Sequence, residues 1–286
     1  MSGTIGYLGP QGTFSEEALI AWIGADQAAR ERAYPSIPAC FDGVASGEVR
    51  EAIVPIENAI EGGVSQTLDQ LIAHGGDVVI RGEVIHPVHH HLIGAPGTSL
   101  DAVTRVVSHP QATSQCERWL RARLPDVTPE PALSTADAVR SVVAGEPGLA
   151  AVGNRRAAEI YGGEILAEDI MDAPDNRTRF AVIGTVEADA PPSGPWTTSI
   201  ICAIAQDRPG ALLSILQEFA LRAINLTRLE SRPARTGLGR YVFFIDAEGN
   251  RNRDLPLQAA LTAIEDGGIA HVTALGSYPA VTPPAE

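Results

Sequence analysis

The sequence predicts a two-domain α/β protein, and three observations carry that reading. From Thr4 to Gly184 short β-rich runs alternate with amphipathic helical stretches, the pattern of strands covered by helices. The segment VEADAPPSGPW, residues 186–196, is rich in Pro, Gly and Ser and lacks hydrophobic periodicity, so it reads as a linker. From Thr197 the order becomes strand, helix, strand, strand, helix, strand, the ferredoxin-like βαββαβ arrangement. With 286 residues, 44% of them hydrophobic and 20% charged, the chain can bury a separate core in each part.

In chain order, TIGYLG is the first strand and GPQGTFS turns it into a helix over 15–23. REAIVPIEN is the next strand, followed by a helix over 64–73. GDVVIRGEVIH and TRVVSHP are strands, helices fit 110–123 and 134–144, and LAAVGN and TRFAVIG complete the set. Sheets of largely parallel character are expected. In the second part TTSIICAIA, NLTRLESRP, LGRYVFFIDAE and IAHVTALGSY are strands, and PGALLSILQEFALRA and DLPLQAALTAIED are helices. Asp207 suits an N-cap and Pro209 a first helical turn. The tail AVTPPAE is expected to be disordered.

Composition excludes several function classes. The net charge of −14 opposes general affinity for nucleic acid or an anionic membrane, both of which need a basic surface. There is no basic leader followed by an apolar stretch and no run of about 18 apolar residues, so a cytoplasmic protein is expected. Cys40, Cys116 and Cys202 are odd in number and far apart, which leaves neither a disulfide framework nor a CxxC site and predicts buried thiols. All 21 basic residues are arginine. Without lysine there is no Schiff base and no P-loop lysine. An anionic ligand must be held by arginine, hydroxyls or backbone N–H groups.

Polar residues gather where strands give way to helices. GPQGTFS places Thr13, Phe14 and Ser15 at a helix start, where free N–H groups bind anions; it is not GxGxxG, and a plain tight turn explains its glycines as well. VPIENAIEGGV ends a buried-looking strand on Glu57 and Asn58, SHPQATSQC ends one on Ser108 and His109 with Gln111 and Gln115 a turn apart, and STADAV offers Ser134 and Thr135, for which N-capping alone is a sufficient reason. In α/β sheets ligands collect at such edges. In DNRTRFAVIG, alternation sets Arg177 and Arg179 on one face and Thr178 and Phe180 on the other. In HPVHHHL it sends His89 and His91 one way and His90 the other, and no cysteine or carboxylate spacing completes a metal ligand set. These histidines read as a partly exposed strand, and Glu61 and Asp69 as solvated helix charges.

GPQGTFS, PIEN, SHPQA with the following Gln-Cys, STADA and NRTRF, in this order, resemble the prephenate dehydratase family. DRPGAL and NLTRLESRP resemble the phenylalanine-binding ACT regulatory domain attached to it. The resemblance covers nearly the whole chain. It implies a two-lobed, periplasmic-binding-protein-like catalytic domain over 1–185, with lobe one at 1–77 plus 171–185 and lobe two at 78–170. A linker at 186–196, an ACT domain at 197–279 and a flexible tail at 280–286 follow. The implied reaction is decarboxylating dehydration of prephenate to phenylpyruvate in phenylalanine biosynthesis, with feedback by phenylalanine and no cofactor or metal.

By the same resemblance Thr178 donates to the departing ring hydroxyl, Arg179 holds a carboxylate, Asn58 and Gln115 are polar partners of substrate, and Ser108 supports them. Thr13, Phe14, Ser15, Ser134 and Thr135 line the anion pocket. The effector is assigned to Gly210, Ala211, Leu212, Asn225 and Leu226, with Glu230 and Ser231 shaping its pocket where two ACT domains meet in a homodimer or homotetramer. Ala59 stands where the family usually has serine, and no chorismate mutase segment precedes Gly9, which suggests a monofunctional enzyme. Two alternatives stand beside this reading, an arogenate dehydratase and a non-catalytic two-lobed ligand sensor; intact NRTRF and SHPQA favour an enzyme.

Overall fold

In the computed structural model, residues 3–24, 31–145, 147–186, 194–234 and 241–281 are described; most of the expected linker and tail lies outside them. The first sheet gathers the apolar runs of IGYL and EAIVPI at its centre. Its strands β1 (Ile5–Leu8), β2 (Glu31–Tyr34), β3 (Glu51–Asn58), β5 (Val79–Pro87) and β11 (Arg177–Gly184) lie in the order β2-β1-β3-β11-β5, with the short β4 (Gly62–Gly63) beside β3. Helix α1 (Phe14–Ile23) covers one face, where Leu19 meets Ile53, Phe180 and Val182. Helices α2 (Ile37–Ala45) and α3 (Ser65–His74) cover the other, where Phe41 and Leu71 meet Val54 and Ile183.

The second sheet, of β6 (His91–Gly94), β7 (Arg105–Ser108), β8 (Pro129–Pro131), β9 (Leu149–Gly153) and β10 (Glu164–Ala167), has the order β10-β6-β9-β7-β8. Around it lie α4 (Pro110–Ser114), α5 (Glu117–Arg123), α6 (Thr135–Val143) and α7 (Arg155–Tyr161). Leu120 and Val152 anchor one side of this core, Val139 and Ala151 the other.

Three expectations are corrected here. Both sheets are mixed rather than largely parallel, because β11, which returns the chain to lobe one, runs antiparallel to β3 and β5, and β6 runs antiparallel to β9 and β10. Lobe two starts after Pro87 rather than at 78, since β5 pairs with β11 from Val79 to Pro87. The helix over 110–123 is two helices, broken at Gln115 and Cys116, where Cys116 leaves helical geometry with φ −118° and ψ 13°.

The third sheet holds β12 (Trp196–Ile204), β13 (Leu226–Pro233), β14 (Tyr241–Glu248) and β15 (Ala270–Pro279) in the antiparallel order β13-β14-β12-β15. Helices α8 (Ala211–Ala220) and α9 (Leu255–Asp266) complete βαββαβ and bury Ile215, Phe219 and Ile264 against one face. Helix α8 begins after Gly210, whose φ is 85°, so Asp207 and Pro209 precede the helix instead of capping it. The other face packs on lobe one: Ile201, Phe244, Leu275 and Tyr278 share a core with Val54, Leu68 and Ile80. At Gly276, φ 129°, a Cβ would collide with the Ile80 carbonyl oxygen, so β15 crosses β5 at backbone contact and only glycine fits.

The three cysteines are free and buried, and burial pushes each thiol up to about 12. Among the described residues no helix is long and apolar enough to cross a membrane.

Candidate active site

A cleft of about 440 Å³ opens between the two lobes, within the size range of small-molecule sites. It is placed by strand ends and helix starts: β3 ends on Asn58 at its floor, β11 brings in Thr178, and α1 and α6 point their N-termini at it from opposite lobes.

The directions of the hydrogen bonds on the floor can be worked out from one fixed point. Asn58 Oδ1 accepts from the backbone N–H groups of Ile60 at 3.0 Å and Glu61 at 3.1 Å. That fixes the amide, so Asn58 Nδ2 donates inward, to Thr178 Oγ1 at 2.9 Å and Asn176 Oδ1 at 3.0 Å. Asn176 must then donate from Nδ2, which it does to Gln115 Oε1 at 3.0 Å. The same oxygen lies 3.2 Å from His90 Nε2, a hydrogen bond only if Nε2 carries the proton. Two consequences follow. Gln115 has its oxygen occupied and its Nε2 donors left for the cleft, and Thr178, already accepting, keeps its own O–H proton with no acceptor among the described residues.

His90 is 2% exposed and Phe14 meets it edge-on at 5.5 Å. Burial lowers its pKa to about 4, against the opposing effect of the Gln115 hydrogen bond, so it is neutral at pH 7. Of the histidines of HPVHHHL, His86 stands on the partly exposed strand β5 as expected and meets Glu17 at 2.9 Å; the others differ, since residues 88–90 lie between β5 and β6, His90 and His91 are buried, and His89 meets Asp169 at 2.9 Å.

Thr13, Phe14, Ser15, Ser134 and Thr135 line the cleft as the sequence suggests. The Ser134 hydroxyl caps α6, accepting from Asp137 N at 3.0 Å and donating to Asp137 Oδ2 at 2.8 Å. Thr13 Oγ1 donates to Leu8 O at 3.0 Å. Ser108 is fully buried and donates to Val152 O at 2.6 Å, so it braces the sheet beneath the cleft and does not line it. Ala59 donates its backbone N–H to Arg177 O at 2.9 Å.

Arg179 is the main departure. It leaves β11 on the face opposite Thr178 and points away from the cleft into the third domain, where Nε meets Glu83 at 2.6 Å, Nη1 meets Asp246 at 2.7 Å and Nη2 donates to the Tyr278 hydroxyl at 2.9 Å. Burial works against its charge, but Tyr278, Asp246 and Glu83 outweigh it and keep the guanidinium protonated. A group so held has no fork free for a substrate carboxylate. Glu230 also departs from its expected place. With Arg228 and Arg232 it lies on the side of β13 facing lobe one, bonded to Arg228 at 2.6 Å, while Ser231 is exposed on the other side. Asp69, expected to be solvated, pairs with Arg232 at 2.8 Å.

A family model described as prephenate dehydratase matches residues 5–188, and one described as ACT domain matches 198–265. A bifunctional chorismate mutase/prephenate dehydratase of Stutzerimonas stutzeri is 42% identical over 96% of this chain and 73% of its own. A prephenate dehydratase of Mycobacterium marinum is 40% identical over 96% of this chain and 88% of its own. The chain belongs to the prephenate dehydratase family. A crystal structure of prephenate dehydratase in complex with L-Phe from Arthrobacter aurescens superposes with a TM-score of 0.87 at 37% identity, covering 98% of this chain and 93% of that one.

This dehydratase carries its ACT regulatory domain on the lobe that holds Asn58 and Thr178. Asn176 and His90 are the floor residues that motif reading missed. The first stands in the quoted NRTRF, and the second was signalled by an alternation that set it opposite His89 and His91. Among the described residues no arginine lines the cleft, so the groups available to an anion are hydroxyls, amide donors, histidine and the helix N-termini of α1 and α6.

Proposed function

We propose that prephenate binds in the interlobe cleft with its ring hydroxyl at Thr178, and that Thr178 donates to this oxygen as the ring loses carbon dioxide. The pair of electrons released from the carboxylate–ring bond enters the ring and expels the ring hydroxyl as hydroxide, held by the Thr178 hydrogen bond, and solvent supplies the proton that makes it water. A threonine hydroxyl is a weak acid, so its contribution is a hydrogen bond that strengthens as charge builds on the leaving oxygen. Asn58, by donating to Thr178 Oγ1, makes that bond one-directional. Gln115 donates to substrate, and the starts of α1 and α6 with Ser15 and Thr135 hold the carboxylates. The observation that carries this reading is the direction of the Asn58–Thr178 bond, fixed by the two backbone donors on Asn58 Oδ1. Turnover of prephenate against arogenate by the purified chain tests it: phenylpyruvate formation with the higher kcat/KM for prephenate is expected, and preference for arogenate would reassign the substrate.

For the regulatory domain the reading is a phenylalanine site at the start of α8, where Gly210, Ala211 and Leu212 border a surface hollow, in a homodimer or homotetramer joined through ACT domains; Asn225 and Leu226 follow the other end of α8, outside that hollow, so in this reading a second ACT domain supplies them. Leu213, 57% exposed, and Leu229, 45% exposed, are apolar side chains that a second ACT domain would cover. Sedimentation of the full chain should give a dimer or tetramer; a monomer at all concentrations would remove this part of the reading.

A further inference from the structure

Strand alternation gives the Asn58–Thr178 pair a mirror on the opposite face of the sheet. Thr178 is registered against Asn58 and Arg179 against Glu57. The cleft faces Asn58 and Thr178; the ACT sheet faces Glu57 and Arg179. Each of the two cleft residues therefore has a chain neighbour held by the regulatory domain.

That hold is extensive. Arg179 meets Asp246 of β14 at 2.7 Å and Tyr278 of β15 at 2.9 Å, and Ser199 of β12 ties these two together, donating to Asp246 Oδ1 at 2.5 Å and lying 2.7 Å from the Tyr278 oxygen. Asp246, Ser199 and Tyr278 are each at most 3% exposed. Glu57 lies 3.6 Å from Arg228 of β13 and 3.5 Å from Arg179. Glu230 of β13 rests on Gly63, where a Cβ would collide with its carboxylate, and Gly63 is itself paired with Glu57. All four ACT strands thus reach the back of the two-strand element whose front carries the proposed hydrogen-bond donor.

We propose that Arg179 is a positioning residue through which the ACT domain, and hence phenylalanine, sets the placement of Thr178. A shift of the ACT sheet against lobe one carries the tied Asp246 and Tyr278 oxygens that hold the guanidinium. Because Arg179 and Thr178 share a peptide bond, that movement alters the angle at which the Thr178 hydroxyl meets the cleft. In the pairing with β3 the register shifts between Arg179 and Phe180, with Ile56 of β3 as the extra residue, so beside Arg179 the ladder is interrupted on the β3 side and continuous on the β5 side, and a small movement there disturbs one ladder rather than two. The proposal rests on the reading of Thr178 as donor.

The test uses the full chain and three variants, Asp246→Asn, Tyr278→Phe and Arg179→Lys, assayed for kcat and KM with prephenate, without phenylalanine and at a concentration that calorimetry shows to be saturating. Folding is matched by circular dichroism, and Tyr278→Phe, which removes one oxygen from the cluster, serves if the charge-altering variants are unstable. Wild type should change kcat/KM by about 5- to 150-fold between the two conditions, and Asp246→Asn and Tyr278→Phe should lose most of that response while still binding phenylalanine. Arg179→Lys should lower kcat more than it raises KM, the reverse of what loss of a substrate clamp would give. A wild-type-sized phenylalanine response in Asp246→Asn and Tyr278→Phe overturns the proposal, as does a wild type whose kcat/KM ignores bound phenylalanine. Thr178→Val assayed without phenylalanine separates the underlying reading: full activity there removes the donor role, whatever the ACT-side variants do.

Discussion

Replacing Asn58 by aspartate changes one NH₂ into one oxygen and reverses the polarity of the cleft floor. The native Oδ1 keeps its two backbone donors, at 3.0 and 3.1 Å, so the side chain stays in place. The new carboxylate oxygen then occupies the Nδ2 position, 2.9 Å from Thr178 Oγ1 and 3.0 Å from Asn176 Oδ1. Thr178 can satisfy it only by donating, which takes the hydrogen bond that the departing hydroxyl needs. The loss should match removal of a general acid, about 100- to 10,000-fold in kcat, or about 3–5 kcal/mol of barrier. Folding should lose about 1–3 kcal/mol, the cost of facing Asn176 Oδ1 with an acceptor. Protonating the new carboxyl lets it donate to Thr178 again, so the activity of the variant relative to wild type should rise as pH falls through that group's titration. The assay is initial phenylpyruvate formation over a pH series, with urea melts for folding. A kcat within about threefold of wild type at pH 7.5 would refute the assignment of bond directions.

Protonation of His90 gives a stability prediction. Its pKa falls from 6.5 in the unfolded chain to about 4 in the fold, chiefly through burial, so between those values the unfolded state binds the extra proton. Its contribution to stability is full above pH 6.5 and is lost as pH drops toward 4, by at most about 3 kcal/mol; urea melts at pH 7 and pH 4.5 should show a smaller loss in His90→Asn, and equal losses would contradict the burial argument. Arg156→Ala strands the Glu16 carboxylate, which is fully buried, bonded to Gly12 N and held from lobe two at 2.9 Å. With Arg156 itself 32% exposed, solvent screening keeps the expected loss near about 1–2 kcal/mol, read as a lower urea midpoint at unchanged slope; an unchanged midpoint would show that the interlobe ion pair contributes nothing.

Much of the site was legible because its residues stand at strand ends and helix starts, which local patterns reveal. Asn58, Gln115, Ser134 and Thr178 are dispersed over 121 residues and converge on one cleft, as their shared position at the sheet edge implied. The βαββαβ order was readable for the same reason. What escaped depends on partners far away in the chain. Alternation alone set Arg179 opposite Thr178, and the resemblance-based role as carboxylate holder ran against it; its partners Glu83, Asp246 and Tyr278 lie 67 to 99 residues distant. Mixed sheet polarity escaped because β11 chooses its neighbours only after the chain has built a whole second lobe. β2 and α7 carry weak apolar patterns, ERAY and RRAAEIY, and are fixed by pairing and packing rather than by propensity.

The most direct test of the account is the rate at which the chain converts prephenate to phenylpyruvate when the Thr178 hydroxyl is removed without change of shape. In Thr178→Val, Asn58 Nδ2 still has Asn176 Oδ1 and, at 3.3 Å, Arg177 O, so the floor survives while the donor is gone. Without phenylalanine, kcat should fall about 100- to 10,000-fold with the thermal midpoint nearly kept, and Thr178→Ser should restore it to within about tenfold of wild type. A folded Thr178→Val that turns over prephenate within about threefold of the wild-type kcat would contradict the account.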